Sequence, residues 1–333
     1  MINRQSSLGF AAMFATLALS ACTQFSSEEQ GDELGSTTQA IIGGKAATSS
    51  AYAAVGALVY YYPEIGVLDV FCSGTLVAPK AIVTARHCTP NIDLATQSGM
   101  IPAFAIGPDA FNPTAVIPIT SYVNAPAAPG NEKGLLMDGG RDVAVAYLAS
   151  APVGVTPAKL GLFLDLMVGT SFDIAGYGVS TPDHFYGQKF VGKATARAID
   201  GKWYPLLFNN KYESFRSWYY SDSPSAQRTE AEAKAWWKDY KLENKYELLA
   251  GGLKNEAVAC NGDSGGPLLR GTTASTLTTY GVSFAVENTI SSACGLGGGY
   301  LVFNAKMFEW VLRSTITIPT VPPVPPLPKP TAG

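Results

Sequence analysis

The sequence predicts an all-β, turn-rich body, and two observations carry that prediction. Of 333 residues, 47% are hydrophobic and only 15% are charged. Thirty-four glycines and 22 prolines occur alongside many Val, Ile, Thr and Tyr. β-Branched and aromatic side chains suit pleated, half-buried surfaces, while Gly and Pro set the turns between strands. The length allows one or two domains with substantial cores. A net charge of −3 gives no basic surplus, so nucleic acid is not an expected partner.

Along the chain, the N-terminus reads as an export signal over residues 1–21. Arg4 supplies positive charge, and Leu8 to Leu19 forms an apolar core too short to span a membrane. It ends in Leu19-Ser20-Ala21-Cys22, which resembles a bacterial lipobox, in which the cysteine is lipidated and becomes the new N-terminus. A plain signal-peptidase site near Ser20 or Ala21 is the alternative. The following stretch to residue 40 carries Glu28, Glu29, Asp32 and Glu33 among Ser, Thr, Gln and Gly, and reads as a disordered tether or propeptide.

Three separated segments carry candidate chemistry. Ile82-Val83-Thr84-Ala85-Arg86-His87-Cys88 is a β-branched run ending at one of only two histidines. The other, His184, lies in the turn-like Thr181-Pro182-Asp183-His184-Phe185 and is expected to be an exposed loop residue. Asp142 opens the strand-like Asp142-Val143-Ala144-Val145-Ala146-Tyr147-Leu148. In Cys260-Asn261-Gly262-Asp263-Ser264-Gly265-Gly266-Pro267 a serine stands among glycines. Glycine lets the backbone turn sharply, so the amides of Gly262 and Ser264 can point at one spot beside the hydroxyl, an oxyanion hole next to a nucleophile. A serine hydroxyl is inert at neutral pH without a base. The loop also fits G-x-S-x-G, the nucleophile elbow of α/β-hydrolases, but that fold needs its acid and histidine after the serine. Here both histidines precede it, which excludes that reading.

Past Gly176-Tyr177-Gly178 the chain contains a segment rich in aromatics and charge, about 181–250, with Trp218, Tyr219, Tyr220, Trp236, Trp237 and Tyr240. Ser223 with Pro224 could cap a helix there, and Glu230 and Lys234 are spaced for a surface ion pair. A surface helix packed by its tryptophans is the favoured reading, an exosite or lid the other. Ala305 to Arg313 reads as a short closing helix, with Phe308, Val311 and Leu312 on its packing face. Pro319 to Pro330 reads as an extended polyproline tail.

Ile41-Ile42-Gly43-Gly44, Thr84-Ala85-Arg86-His87-Cys88, Asp142-Val143-Ala144-Val145 and Gly262-Asp263-Ser264-Gly265-Gly266-Pro267, in this order, resemble the trypsin/chymotrypsin family of serine endopeptidases. The resemblance runs from about Ile41 to Arg313. It implies two six-stranded antiparallel β-barrels at about 41–150 and 165–304, within a protease domain at 41–317 and followed by a tail at 318–333. It implies that Ser264 attacks a peptide carbonyl, that His87 accepts and passes on the proton, and that Asp142 orients the imidazole. Gly262 and Ser264 would bind the oxyanion. The family pairs Cys72 with Cys88 and Cys260 with Cys294, which leaves Cys22 for lipid and agrees with an oxidising compartment. Arg86, where small residues are common in the family, reads as a surface charge.

The resemblance extends to specificity and activation. The pocket floor lies six positions before the serine, at Val258, which carries no carboxylate to pair with Lys or Arg. Ser283-Phe284-Ala285 would pair with substrate as an added strand, and the Ala285 methyl would narrow the pocket. The glycine run 297–299 does not align to one pocket position. The expected preference is for small or medium apolar residues. A freed Ile41 amine would pair with Asp263, so a zymogen cut after Ala40 is expected. That cut suits the inferred specificity and would release the chain from a lipid tether.

The leading expectation is an exported endopeptidase acting on proteins or peptides, monomeric, with no cofactor and no metal. It would sit at the bacterial outer membrane or cell surface through Cys22, or be secreted after activation. A non-catalytic binding lipoprotein on the same scaffold and an esterase are the alternatives.

Overall fold

The computed structural model describes residues 41–128, 141–179, 186–222, 228–288, 294–317 and 327. The signal at 1–21, Cys22 and the stretch to Ala40, His184, Ser223 with Pro224, and the tail apart from Leu327 lie outside the described residues.

A short strand β1 (Lys45–Ala46) is followed by β2 (Val55–Tyr62), β3 (Val67–Ala78), β4 (Ala81–Thr84), helix α1 (Thr89–Gln97), β5 (Ile101–Ile106), β6 (Ala115–Asn124) and β7 (Ala144–Leu148). Strands β2 to β7 close into one antiparallel barrel in the order β2-β3-β4-β7-β6-β5. Next come β8 (Lys159–Leu160), β9 (Ser171–Gly176), β10 (Phe190–Ala198), helices α2 (Trp203–Leu207), α3 (Tyr212–Asp222) and α4 (Glu230–Asp239), then β11 (Glu247–Ala250), β12 (Pro267–Arg270), β13 (Thr278–Asn288), β14 (Cys294–Val302) and the closing helix α5 (Ala305–Ile316). The order β10-β11-β14-β13-β12-β9 closes through the β9–β10 pairing into a second six-stranded barrel, with β1 and β8 added at its flanks. The fold is the all-β, chymotrypsin-like pair of barrels expected from the sequence.

The two-residue period of a strand explains how one short sequence serves two cores. All five residues of β7 are buried. Ala146 and Leu148 face the interior of the first barrel, whereas Val145 and Tyr147 join Val282, Leu301 and Phe303 of the second barrel region in a separate cluster. The strand that begins two residues after Asp142 is therefore clamped on both faces.

The segment between β10 and β11 holds its own core. Tyr204 lies 3% exposed among Phe215, Trp218, Trp236 and Tyr240, with ring centroids 4.8, 5.5, 5.7 and 5.5 Å away. Aromatic pairs at such distances add to area burial. The cluster includes Leu249 of β11, so the helices pack onto the second barrel. Thr229 and Glu232 form a capping box at the start of α4. The Glu230–Lys234 pair is present at 3.7 Å, although Glu230 sits closer to Arg216, at 2.7 Å.

Helix α5 corrects the sequence reading of its packing face. Met307, Val311 and Thr315 are buried, while Leu312 is 40% exposed. Phe308 is partly buried against the same cluster. The helix lies against β3, β4 and β7 along an i, i+4, i+8 row. Thr315 lies beyond the helix end expected at Arg313, and its hydroxyl donates to the Leu312 carbonyl, which permits burial. Among the described residues no helix is long and apolar enough to cross a membrane.

Candidate active site

Strand β4 ends at Thr84 and runs into a single tight turn, Arg86–Cys88, that presents His87. Asp142 holds this histidine at two points. Its Oδ1 accepts the His87 backbone N–H at 2.9 Å, and its Oδ2 lies 2.8 Å from Nδ1. The Asp142 side chain is 4% exposed and the His87 side chain 21%. A carboxylate on Nδ1 fixes the tautomer in which Nδ1 carries the proton, which leaves Nε2 as an acceptor. The Cys72–Cys88 disulfide, with Cα atoms 6.2 Å apart, ties the same turn to β3. The Cys72, His87 and Cys88 donor atoms lie within 4.8 Å of one another, but both sulfurs are committed to the disulfide. Arg86, in the same turn, is half-buried.

The serine loop is docked against this turn from the second barrel. The Ser264 carbonyl accepts the Ser73 N–H at 2.8 Å and lies 3.8 Å from Cys88 Sγ, next in sequence to His87. Gly265 N–H donates to the Ser283 carbonyl and Ser283 N–H to the Gly266 carbonyl, each at 2.8 Å, pinning the loop to β13. Gly265 has φ +79°, and a Cβ there would stand 2.1 Å from Thr84 Oγ1 and 2.4 Å from the Ser73 carbonyl. The serine can approach the histidine strand this closely only because its neighbour has no side chain. Gly262 has φ +92°. Among the described residues, the N–H groups of Gly262 and Ser264 meet no acceptor, and no hydrogen bond joins the Ser264 hydroxyl to His87. Catalytic hydrogen bonds of this kind commonly tighten only when substrate is bound. The Cys260–Cys294 disulfide, with Cα atoms 5.4 Å apart, ties the loop to the start of β14.

Beneath the serine, Asp263 is 1% exposed. Its Oδ1 accepts the Gly178 N–H and its Oδ2 the Cys260 N–H, both at 2.8 Å. The backbone N–H of Ile41 supplies a third hydrogen bond. Burial nevertheless dominates and raises the carboxyl from its ordinary 3.8 to about 6, with the three amides opposing the rise. Ile41 is itself 1% exposed and has φ +43°, a costly conformation for a β-branched residue.

The sequence-derived specificity residues lie in the second barrel and the segment beside it. Val258 is 3% exposed and pairs with Ile42, donating its N–H to the Ile42 carbonyl at 2.9 Å. In β13, Ser283 lies opposite Tyr300 and Ala285 opposite Gly299, with a bulge between that leaves Phe284 out of register. The same register places Gly298 opposite Val286 and so aligns most of the 297–299 run that sequence alone left unassigned. Sequence reasoning missed three buried residues: Ser73, Tyr177 and Tyr300. Tyr300 is fully buried, and burial together with the nearby Asp263 charge raises its phenol well above the ordinary range. No periodicity or spacing marks any of the three; only the assembled contacts do.

Comparison with known proteins agrees with this architecture. The trypsin family model matches residues 41–198, a span that contains His87 and Asp142 and stops short of the Ser264 loop. The structure is similar to that of neuropsin, a serine protease expressed in the limbic system of mouse brain, at 18% sequence identity and a TM-score of 0.51, over 82% of this chain and 99% of that one. The helical segment between β10 and β11 follows directly on the matched span. The family match over 41–198 lies within the two-barrel fold, and that fold is shared with the compared serine protease.

Proposed function

We propose that the protein is a serine endopeptidase in which Ser264 is the nucleophile, His87 the general base and acid, and Asp142 the residue that orients the imidazole. The observation that carries this is the two-point clamp of Asp142 on His87, set beside a serine loop with two amides that meet no acceptor among the described residues. In this reading Ser264 Oγ loses its proton to His87 Nε2 as it attacks the carbonyl carbon. The resulting oxyanion sits between the N–H groups of Gly262 and Ser264; one such donor is typically worth about 3 kcal/mol of barrier. The imidazolium, stabilised by Asp142, then protonates the leaving amine, and water completes the cycle by the same route.

The same reading makes the chain a zymogen cut between Ala40 and Ile41, with Ile41 already hydrogen-bonded to Asp263. Val258 and Ala285 favour small or medium apolar residues before the scissile bond, because a cation buried there would have no carboxylate partner. Export and a lipid anchor at Cys22 belong to the proposal, and release from the membrane would accompany activation.

A fluorophosphonate probe tests the chemistry. Chain processed after Ala40 is expected to be labelled at Ser264, and Ser264→Ala to be folded and unlabelled. A fully active Ser264→Ala variant would sink the assignment, and an unlabelled processed chain would favour a binding role. Amide against ester turnover separates a protease from an esterase. Mass spectrometry of membrane fractions tests lipid on Cys22, and a peptide library preferring Arg would overturn the specificity.

A further inference from the structure

Ser73 is fully buried at the end of the first barrel that faces the serine loop, and its N–H and hydroxyl are both used across the two barrels. Its N–H donates to the Ser264 carbonyl at 2.8 Å. Its own carbonyl accepts the Thr84 hydroxyl at 2.9 Å. Its hydroxyl donates to the Gly262 carbonyl at 3.0 Å and accepts the Tyr177 N–H at 3.1 Å.

The hydroxyl acts where the loop is least constrained by its own covalent structure. Gly262 has no Cβ and sits at φ +92°, so sterics alone do not fix the two peptide planes that flank its Cα. One of those planes is held by the Asn261 carbonyl, which accepts the Val179 N–H at 2.6 Å. In a planar trans peptide the N–H points opposite the C=O, so this bond directs the Gly262 N–H away from Val179. The other plane is held by Ser73 Oγ on the Gly262 carbonyl. The same hydroxyl anchors the Tyr177 amide, and the next two amides, Gly178 and Val179, hold Asp263 and Asn261. Ser73 therefore ties down the peptide that follows the Gly262 amide and, through Tyr177, the strand end whose Val179 N–H holds the oxyanion peptide itself.

We infer that Ser73 is a positioning residue that holds the Gly262 amide in its oxyanion-binding orientation. The inference rests on the hydrolase reading above. It implies that the hydroxyl contributes to transition-state binding and little to ground-state binding.

The test compares processed wild type, Ser73→Ala and Ser73→Thr with one peptide amide substrate and one peptide aldehyde, whose adduct carries the tetrahedral oxygen. Loss of a buried hydrogen bond predicts a fall of about tenfold in kcat for Ser73→Ala, with KM within about twofold of wild type. Aldehyde affinity should fall in parallel, and Ser73→Thr, which keeps the hydroxyl, should recover most of both. Thermal melting reports folding for each variant. Equal kcat in wild type and Ser73→Ala overturns the inference alone, as does a KM effect without a kcat effect. Failure of Ser73→Ala to fold, with Ser73→Thr folded but no better than tenfold down in kcat, also overturns it. A wild type that neither turns over nor labels overturns the hydrolase reading, and this inference with it.

Discussion

In the uncleaved chain, raising the pH from 4 to 7 should weaken the fold through one carboxyl group. Asp263 is 1% exposed, and burial raises it from 3.8 to about 6. Between these values the folded chain holds a proton that the unfolded chain has released. Its contribution is therefore complete below 3.8 and is lost as the pH rises through about 6. A rise of roughly two units, at 1.36 kcal/mol each, makes the loss about 3 kcal/mol. The assay is urea unfolding of the uncleaved Ser264→Ala chain, which cannot cut itself, beside Ser264→Ala/Asp263→Asn, which cannot titrate there. The stability difference between the two should shift by about 3 kcal/mol from pH 4 to 7, against the aspartate. Cutting after Ala40 converts the Ile41 N–H into an ammonium that favours the ionised carboxylate, so the slope should reverse in processed protein. A pH-independent difference in the uncleaved pair, or the same slope before and after cutting, would refute the reasoning.

Other outcomes follow from the geometry. Asp142→Asn should keep the fold and lower kcat by about 10⁴, since an amide cannot hold the same imidazole tautomer; steady-state kinetics on processed protein reads this. Gly265→Ala should destabilise by more than about 2 kcal/mol, because the added methyl enters positive-φ strain and lands 2.1 Å from Thr84 Oγ1; thermal melting measures it. Tyr204→Ala should cost roughly 3 kcal/mol by emptying the centre of the aromatic cluster. If the helical segment is only packing, turnover per folded molecule should stay unchanged on both peptides and folded proteins.

The parts of the fold and site that were legible in sequence were those fixed by local composition or by an ordered set of motifs. The β-branched run before His87 became β4, and the glycines around Ser264 became the two positive-φ corners of its loop. What stayed hidden depends on long-range contact. Ser73 and Ser264 are neighbours because two barrels meet, and a lone serine in a strand carries no mark of that. The buried row on α5 includes Thr315, whose polarity is cancelled by a backbone acceptor invisible to a hydrophobicity pattern. The pairing of Ala285 with Gly299 passes through a bulge, so counting by twos from either strand could not give it.

The two ends of the described body are crossed over. The strand just after Ile41 is stitched to β10 of the second barrel before the first barrel has begun. The last helix leaves the second barrel and lies on the first, where Tyr147 donates a hydrogen bond to the Ser314 carbonyl. Each half thus wears a piece of chain supplied by the other's side of the sequence, like two parcels bound by one cord. Severed halves would each lack a strap, and the chain should melt as one unit with the cleft kept in register until the end.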